Sequence, residues 1–402
     1  MNNASARQLR VLVLATTFPA VPGDGTPEFV LTLSSALARA GTDVRAVVPR
    51  MPGAPSSETI DGVQVRRFAY FPRRWEGLAT GAIMPTLRAQ PRRWLEVPCL
   101  AGAFLAAAQR EARRFRPDVV HAHWIVPGGV VALALATLGR ASGRRIPYVV
   151  TVHGADAFTL RSGPATWVKA AVMRHAEATI PVSRTIGDEL ARIDAVTAPI
   201  PMGVDVDRIR DEVGERRPEP GRLLFVGRLV EKKGVDVLLR ALPAVPSARL
   251  VVVGDGPCRS DLESLTAELG LHGRVTFHGQ GTRSQVMSQM ARAASICIPS
   301  RVGAAGDQDG TPVVLAEAMA AGLPAVVTDI GGLAEFVIDG DNGLVVPAGD
   351  AGALAGAIGQ ILADTSSAER LGANARVGIR GSLDVESVRD RYLAVLSAAA
   401  SR

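Results

Sequence analysis

Cysteine is scarce in this 402-residue chain: Cys99, Cys258 and Cys297 stand far apart, with no Cys-x-x-Cys pair among them. An odd, scattered set argues against a disulfide framework and a zinc site, and it favours a reducing cytosol. Long apolar runs are also missing. The longest, residues 100–108 and 130–138, fall well short of the roughly 20 residues that a bilayer-crossing helix needs. The opening MNNASARQLRVLVLA has one short apolar run without a cleavage signature, and that run reads as a first strand and not as a leader. No nucleic-acid recognition motif is found and no helix is basic along one face, so nucleic acid is not expected as a partner.

What is present is an ordinary globular composition, 47% hydrophobic and 21% charged, in a chain long enough for two cored domains. Charge is uneven. Residues 1–196 hold 24 Arg and Lys against 14 Asp and Glu, net +10, which leaves 21 against 25, net −4, for the rest. The basic half therefore expects an anionic partner. Within it, residues 66–93 interleave Arg66, Arg67, Arg73, Arg74, Arg88, Arg92 and Arg93 with Phe68, Tyr70, Phe71, Trp75 and Trp94. Such mixing suits an anionic membrane surface or a lipid-linked acceptor, and equally an irregular loop packed by its aromatics.

Short β-rich runs alternate with amphipathic ones. Strands are expected at 11–14, 44–49, 119–121 and 148–152, with helices at 28–40, 100–116 and 129–138, and a short helix and strand after residue 182. Residues 206–220, rich in Glu, Arg and Pro, read as an exposed connection. A second series places strands at 223–226, 249–253, 275–277, 296–298 and 325–328, giving two doubly wound α/β domains in tandem. In such sheets ligands lie beyond the carboxyl ends of strands, where strand order reverses, and His153, Arg228 and Gly254 follow predicted strand ends.

Two segments carry chemistry. In DGTPVVLAEAMAAGLP, residues 309–324, Asp309 and Glu317 lie eight positions apart around a helix start. Pro312 suits a first helical turn, so free N–H groups and the positive end of the helix dipole would meet an anion there. Glu317 falls among alanines, where a carboxylate needs either a nearby Arg or a ligand. In RLLFVGRLVEKKG, residues 222–234, a strand ends in a turn with Arg228 and Lys233, a planar fork and a mobile point charge suited to a diphosphate. The same residues also fit a solvated helix start, which suits Lys232 better than Lys233.

With VVVGDGP (251–257), these segments resemble the donor half of the retaining nucleotide-sugar glycosyltransferases of family four. TTFPAVPGDGTPEFV (16–30), HAHWIVPGG (121–129), HGADAF (153–158) and PMGVD (201–205) extend the resemblance over nearly the whole chain. It implies the GT-B fold: an acceptor-side domain at 1–200, a connection at 201–220, a nucleotide-sugar domain at 221–380, and a terminal helix at 381–402 crossing back, with the cleft between domains. It further implies that Arg228 and Lys233 bind the donor diphosphate and that Glu317 binds the ribose hydroxyls. His153 would lie over the donor sugar, and Gly254, Gly310, Thr311 and Pro312 would line the donor. Gly23, Gly25, His123 and Asp156 would fall on the acceptor side. The family usually has Glu at both ends of its acidic pair, so Asp309 is a departure at the hexose contact. The implied reaction moves a sugar from a UDP- or GDP-linked donor to a hydroxyl acceptor, with retention, without metal or cofactor, in the cytoplasm or on the inner face of the membrane. A GT-B epimerase or phosphorylase, or a membrane-docked nucleotide-sugar binder without turnover, are the alternatives.

Competing motifs are weaker. GDGP at 254–257 lacks the third glycine of a dinucleotide fingerprint, since Arg259 stands there. The triplets Asp205-Val206-Asp207 and Asp307-Gln308-Asp309 read as turn carboxylates or helix caps before they read as metal ligands. His121 and His123, at a strand end, are taken to point to opposite faces and so not to grip one metal. For His121 a hydrogen-bonded core position is the competing role, whereas Gly154 beside His153 leaves room for a ligand.

Overall fold

The computed structural model describes residues 8–402 apart from residues 22, 25, 82, 159–162, 304, 305, 307 and 309–312. Gly25, Asp307, Asp309, Gly310, Thr311 and Pro312 thus lie outside the described residues. The chain forms two compact units. The first holds residues 1–182, 187–200 and 389–402, and the second residues 183–186 and 201–388.

The first unit is built on β1 (Arg10–Leu14), β2 (Asp43–Pro49), β3 (Ser57–Ile60), β4 (Val63–Phe68), β5 (Val119–His123), β6 (Tyr148–Val152) and β7 (Ala178–Pro181), in the order β3-β4-β2-β1-β5-β6-β7. All pairings are parallel except the β3–β4 hairpin at one edge. β5 and β6 are buried at every position, as expected of parallel strands covered by helices on both faces. The order reverses between β1 and β5. The loops after those two strands, with Gly23 and Trp124–Gly129, therefore flank the crevice where doubly wound sheets hold ligands.

The second unit has β8 (Arg222–Val226), β9 (Arg249–Val253), β10 (Val275–Gly279), β11 (Ser295–Ile298), β12 (Ala325–Thr328) and β13 (Leu344–Val346), all parallel, in the order β10-β9-β8-β11-β12-β13. The strand period of two divides its core. Leu224, Val251, Ile296 and Val327 pack on one face, while Leu223, Phe225, Val252, Cys297 and Val326 pack on the other. Here the order reverses between β8 and β11, so Gly227–Lys233 and the chain after Ile298 meet at the switch point.

Several expectations need correction. Residues 206–220 are not simply an exposed connection: Val206–Val213 is a helix capped by Asp205, whose Oδ1 accepts from Arg208 N at 3.0 Å, and Val206, Ile209 and Val213 are buried in the second core. A helix does follow residue 182, at Arg184–Ala191, but no strand lies between it and residue 206 among the described residues. The run Trp124–Ala141 reaches 18 residues at mean hydropathy 1.5, longer than the apolar runs read from the sequence. It is interrupted at Val126, whose φ −124° and ψ 124° belong to a strand, so the regular helix Val130–Ala141 has 12 residues and is about 18 Å long.

Candidate active site

In the second unit the site grows from glycines that let backbones touch. A Cβ at Gly254 would stand 1.9 Å from Gly227 O, and one at Gly234, where φ is +64°, would stand 1.9 Å from Pro299 O. Only glycine fits such approaches, which draw the turns after β8, β9 and β11 together. Gly256 meets Leu229 O in the same way, so the GDGP glycines serve backbone packing. Arg228 is exposed directly after this turn, and Lys233 closes the short 3-10 turn Glu231–Lys233. Arg301, beyond β11, joins the loops: its N donates to Lys232 O at 2.8 Å, its Nε to Glu231 O at 3.1 Å, and its guanidinium lies 3.3 Å from Asp236. Lys232 Nζ donates to Gln308 O at 3.3 Å.

Glu317 sits on the helix Val313–Ala321. Its Oε1 accepts from Arg283 Nη1 at 3.2 Å, with the two side chains only 15% and 17% exposed. Arg283 Nε also donates to Glu212 Oε2 at 2.7 Å, and Glu212 Oε1 accepts from Arg208 Nε at 2.7 Å. The arginine partner expected for a carboxylate in an apolar helix is present, and the charge is thereby kept in a hydrogen-bonded chain.

The first unit gathers aromatic and imidazole rings. His123 Nδ1 lies 2.9 Å from His153 Nε2, with the rings 18° from coplanar. Trp124 and Phe29 flank His153 at centroid distances of 4.7 and 5.0 Å. His121 Nε2 lies 2.8 Å from Thr151 Oγ1. The rings of His121 and His123 are 4.3 Å apart, on one face. This overturns the expectation of opposite faces, because successive strand residues alternate and residues two apart therefore share a side. Tyr392, from the final helix Val385–Ser401, covers His121 at 5.5 Å. Burial pushes His121 and His153 down to about 3 and His123 well below its ordinary value, so all three rings are neutral near pH 7.

Asp156 is buried and ties the β5 and β6 loops, its Oδ2 accepting from Ile125 N at 2.6 Å. Desolvation raises its carboxyl to about 6, against the opposing pull of backbone N–H groups and Lys169. On the β1 loop, where φ of Gly23 is +85°, Gly23 N donates to Glu28, and Asp24 Oδ1 accepts from Thr26 N at 2.7 Å. Gly23, His153 and Asp156, with His123 at the end of β5, thus gather around the first switch point, while Arg228, Lys233 and Gly254 belong to the second.

The family model described as glycosyl transferases group 1 matches residues 207–377, and that of glycosyltransferase family 4 matches residues 23–208. Among relatives, the D-inositol 3-phosphate glycosyltransferase of Xylanimonas cellulosilytica is 30% identical over 401 residues, 89% of this chain and 87% of that one. The chain belongs to the family four, group 1 glycosyltransferases. The glycogen synthase of Mycobacterium tuberculosis is 29% identical over 412 residues, 94% of this chain and 92% of that one. A solved sucrose-phosphate synthase from Thermosynechococcus elongatus, 24% identical, superposes with TM-score 0.75 over 97% of this chain and 100% of that one, and shows the GT-B fold. The glycosyltransferase transfers sugar from a nucleotide-sugar donor.

The basic segment at 66–93 is divided in this glycosyltransferase. Arg67 lies in β4 with its side chain fully buried, donating to Pro19 O at 2.7 Å and Glu58 at 2.9 Å, and Phe68 stacks on Phe104 at 4.9 Å. Tyr70 is buried too, its hydroxyl accepting from Ala79 N at 2.9 Å. What faces outward is Arg66, Arg73, Arg74, Arg88 and Arg92 with Trp75, Trp94 and Leu95. Sequence reasoning also missed Arg283 and Arg301 in the second unit, and Phe29 and Tyr392 around the histidines. Arg301 alone left a trace, as a cation just past a strand end.

Proposed function

We propose that the enzyme is a retaining, metal-independent hexosyltransferase that takes its sugar from a UDP- or GDP-linked donor, needs no cofactor, and works in the cytoplasm at a membrane surface. One observation carries this reading: Arg228 and Lys233 stand on glycine-built turns at the second switch point, where a diphosphate would meet positive charge without side chains in the way. Departure of the diphosphate builds negative charge. Arg228 and Lys233 oppose it, and the backbone amides of Gly310 and Thr311, with Pro312 next in sequence, would join them as the family resemblance implies. Glu317 takes the ribose hydroxyls, Gly254 admits the donor backbone-close, and Asp309 takes the hexose contact.

His153 lies over the donor sugar, with Gly23, Gly25, His123 and Asp156 shaping the acceptor side. Asp156, the carboxylate closest in sequence to His153, is buried and bonded to Ile125 N, which withholds it from an anomeric carbon. This favours front-face attack: the acceptor hydroxyl oxygen bonds to the anomeric carbon on the side from which the phosphate oxygen departs, and that oxygen takes the hydroxyl proton. The acceptor reading is a lipid-linked or surface-bound hydroxyl, supported by Trp75 and Trp94, each 55% exposed, and Leu95, 73% exposed, among the outward arginines.

The test is a panel of UDP-, GDP- and ADP-sugars, chosen by thermal shift with the free diphosphates and assayed with and without EDTA. An α-linked product from an α-linked donor, at the same rate under EDTA, is expected. A β-linked product would overturn retention, and loss under EDTA with rescue by manganese would overturn metal independence.

A further inference from the structure

We propose that His123 is a positioning residue that fixes the tautomer and ring orientation of His153, so that His153 offers a single N–H donor, at Nδ1, to its ligand. This rests on the reading of His153 as the group over the donor sugar. The 2.9 Å contact between His123 Nδ1 and His153 Nε2 joins two nearly coplanar rings. Between two neutral imidazoles one hydrogen lies on that line, so the tautomers of the rings are locked to each other.

Which pair of tautomers is present follows from the far side of His123. Its Nε2 is buried and has no hydrogen-bond partner among the described residues. A buried N–H without an acceptor costs more than a bare nitrogen without a donor, so the hydrogen belongs on Nδ1 of His123. His123 then donates, His153 accepts at Nε2, and the His153 hydrogen is left on Nδ1. Neither ring is free to turn. His121 packs tilted against His123, with ring centroids 4.3 Å apart, and is itself held by Thr151, while Trp124 and Phe29 pack against His153. His123 is only 1% exposed, so it acts on a ligand through His153 and not by contact.

The experiment combines histidine-ring NMR with kinetics. Protein labelled with 15N at its six histidines reports each tautomer through long-range 1H–15N correlations, with His153 assigned from His153→Phe. Wild type should show one tautomer at His153, protonated at Nδ1. His123→Phe should average the two and lower kcat about tenfold, with KM for the nucleotide sugar changed less than about twofold, because the diphosphate is held elsewhere. His123→Asn carries an amide N–H close to the former Nδ1 and should keep one tautomer and recover kcat to within about threefold of wild type. His123→Gln puts its amide nearer the former Nε2 and should fall with Phe. A mixed tautomer in wild type, or equal kcat losses in Asn and Phe variants matching equal losses of Tm, would overturn the proposal. Full kcat in His153→Phe would overturn the sugar contact instead, while the wild-type spectrum still decides the tautomer lock.

Discussion

The two units of this glycosyltransferase place their chemistry at the same topological position and equip it oppositely. At the reversal between β8 and β11, cations stand on turns that only glycine can form, with Arg228 exposed and Lys233 beside it. At the reversal between β1 and β5, neutral histidines pack among Trp124, Phe29 and Tyr392, His121 and His123 buried and His153 half-buried. A diphosphate calls for charge that solvent can reach before binding. On the proposed reading a sugar hydroxyl calls for hydrogen bonds of fixed direction, which mutually locked rings would supply. One architecture serves both because the switch point fixes only where the loops converge, not what they carry.

The largest expected effect breaks the comparison through pH. The clustered His121, His123 and His153 are neutral when folded but take up protons below about 6.5 when unfolded, so stability falls as pH drops from 6.5 toward 3. Asp156, raised to about 6, works the other way between 6 and 4 and offsets one of them. The net slope is about 3 kcal/mol per pH unit at most, from roughly 1.4 kcal/mol per group. Melting curves from pH 7 to 4.5 should show Tm falling steeply, and His121→Phe should flatten the slope. A flat profile would mean the rings are hydrated.

On the other side, Arg228→Ala and Lys233→Ala should each lower kcat/KM tenfold or more, the value of a charge-assisted hydrogen bond at about 1.5–3 kcal/mol. Steady-state kinetics with the identified donor decides this, and a change under twofold would remove that residue from the diphosphate site. The supporting glycines come next. Gly234→Ala should cost about 1–3 kcal/mol in denaturant unfolding, because its Cβ would meet Pro299 O. Gly41→Ala, also at positive φ but with nothing within 4 Å, should cost less. Equal costs would show that φ and not close approach matters. The smallest effect concerns the outward arginines beside Trp75 and Trp94. Vesicles with anionic lipid should retain the enzyme at low salt and release it above about 0.1 M, where charges are screened over about 10 Å. Equal flotation with neutral vesicles would remove the charged surface from the reading.

Much of the fold was legible because its signals are local. The strands at 148–152, 249–253 and 325–328 coincide with β6, β9 and β12, since buried parallel strands read as short continuous apolar runs. β13 was not legible: a three-residue strand shows no period. The 66–93 segment misled because a buried arginine and an exposed one are the same letter. Arg67 is inside only because β4 pairs with β2 and β3 and carries it against Pro19.

The sequence by itself determined the alternation of strand and helix, the two-domain plan and the strand-end positions of Arg228, His153 and Gly254. These depend on periodicities of two and 3.6 and on glycine's freedom, all of which act over a few residues. The tertiary structure alone decided the pairings: Arg283 with Glu317, Arg301 with the β8 loop, His123 with His153, and Tyr392 over His121. Each joins residues that the crossover connections bring together from distant parts of the chain, Tyr392 bonding to Ile200 across a separation of 192. A side chain's chemistry is written in its own position, but its protonation state and hydrogen-bond direction are set by neighbours that only folding supplies.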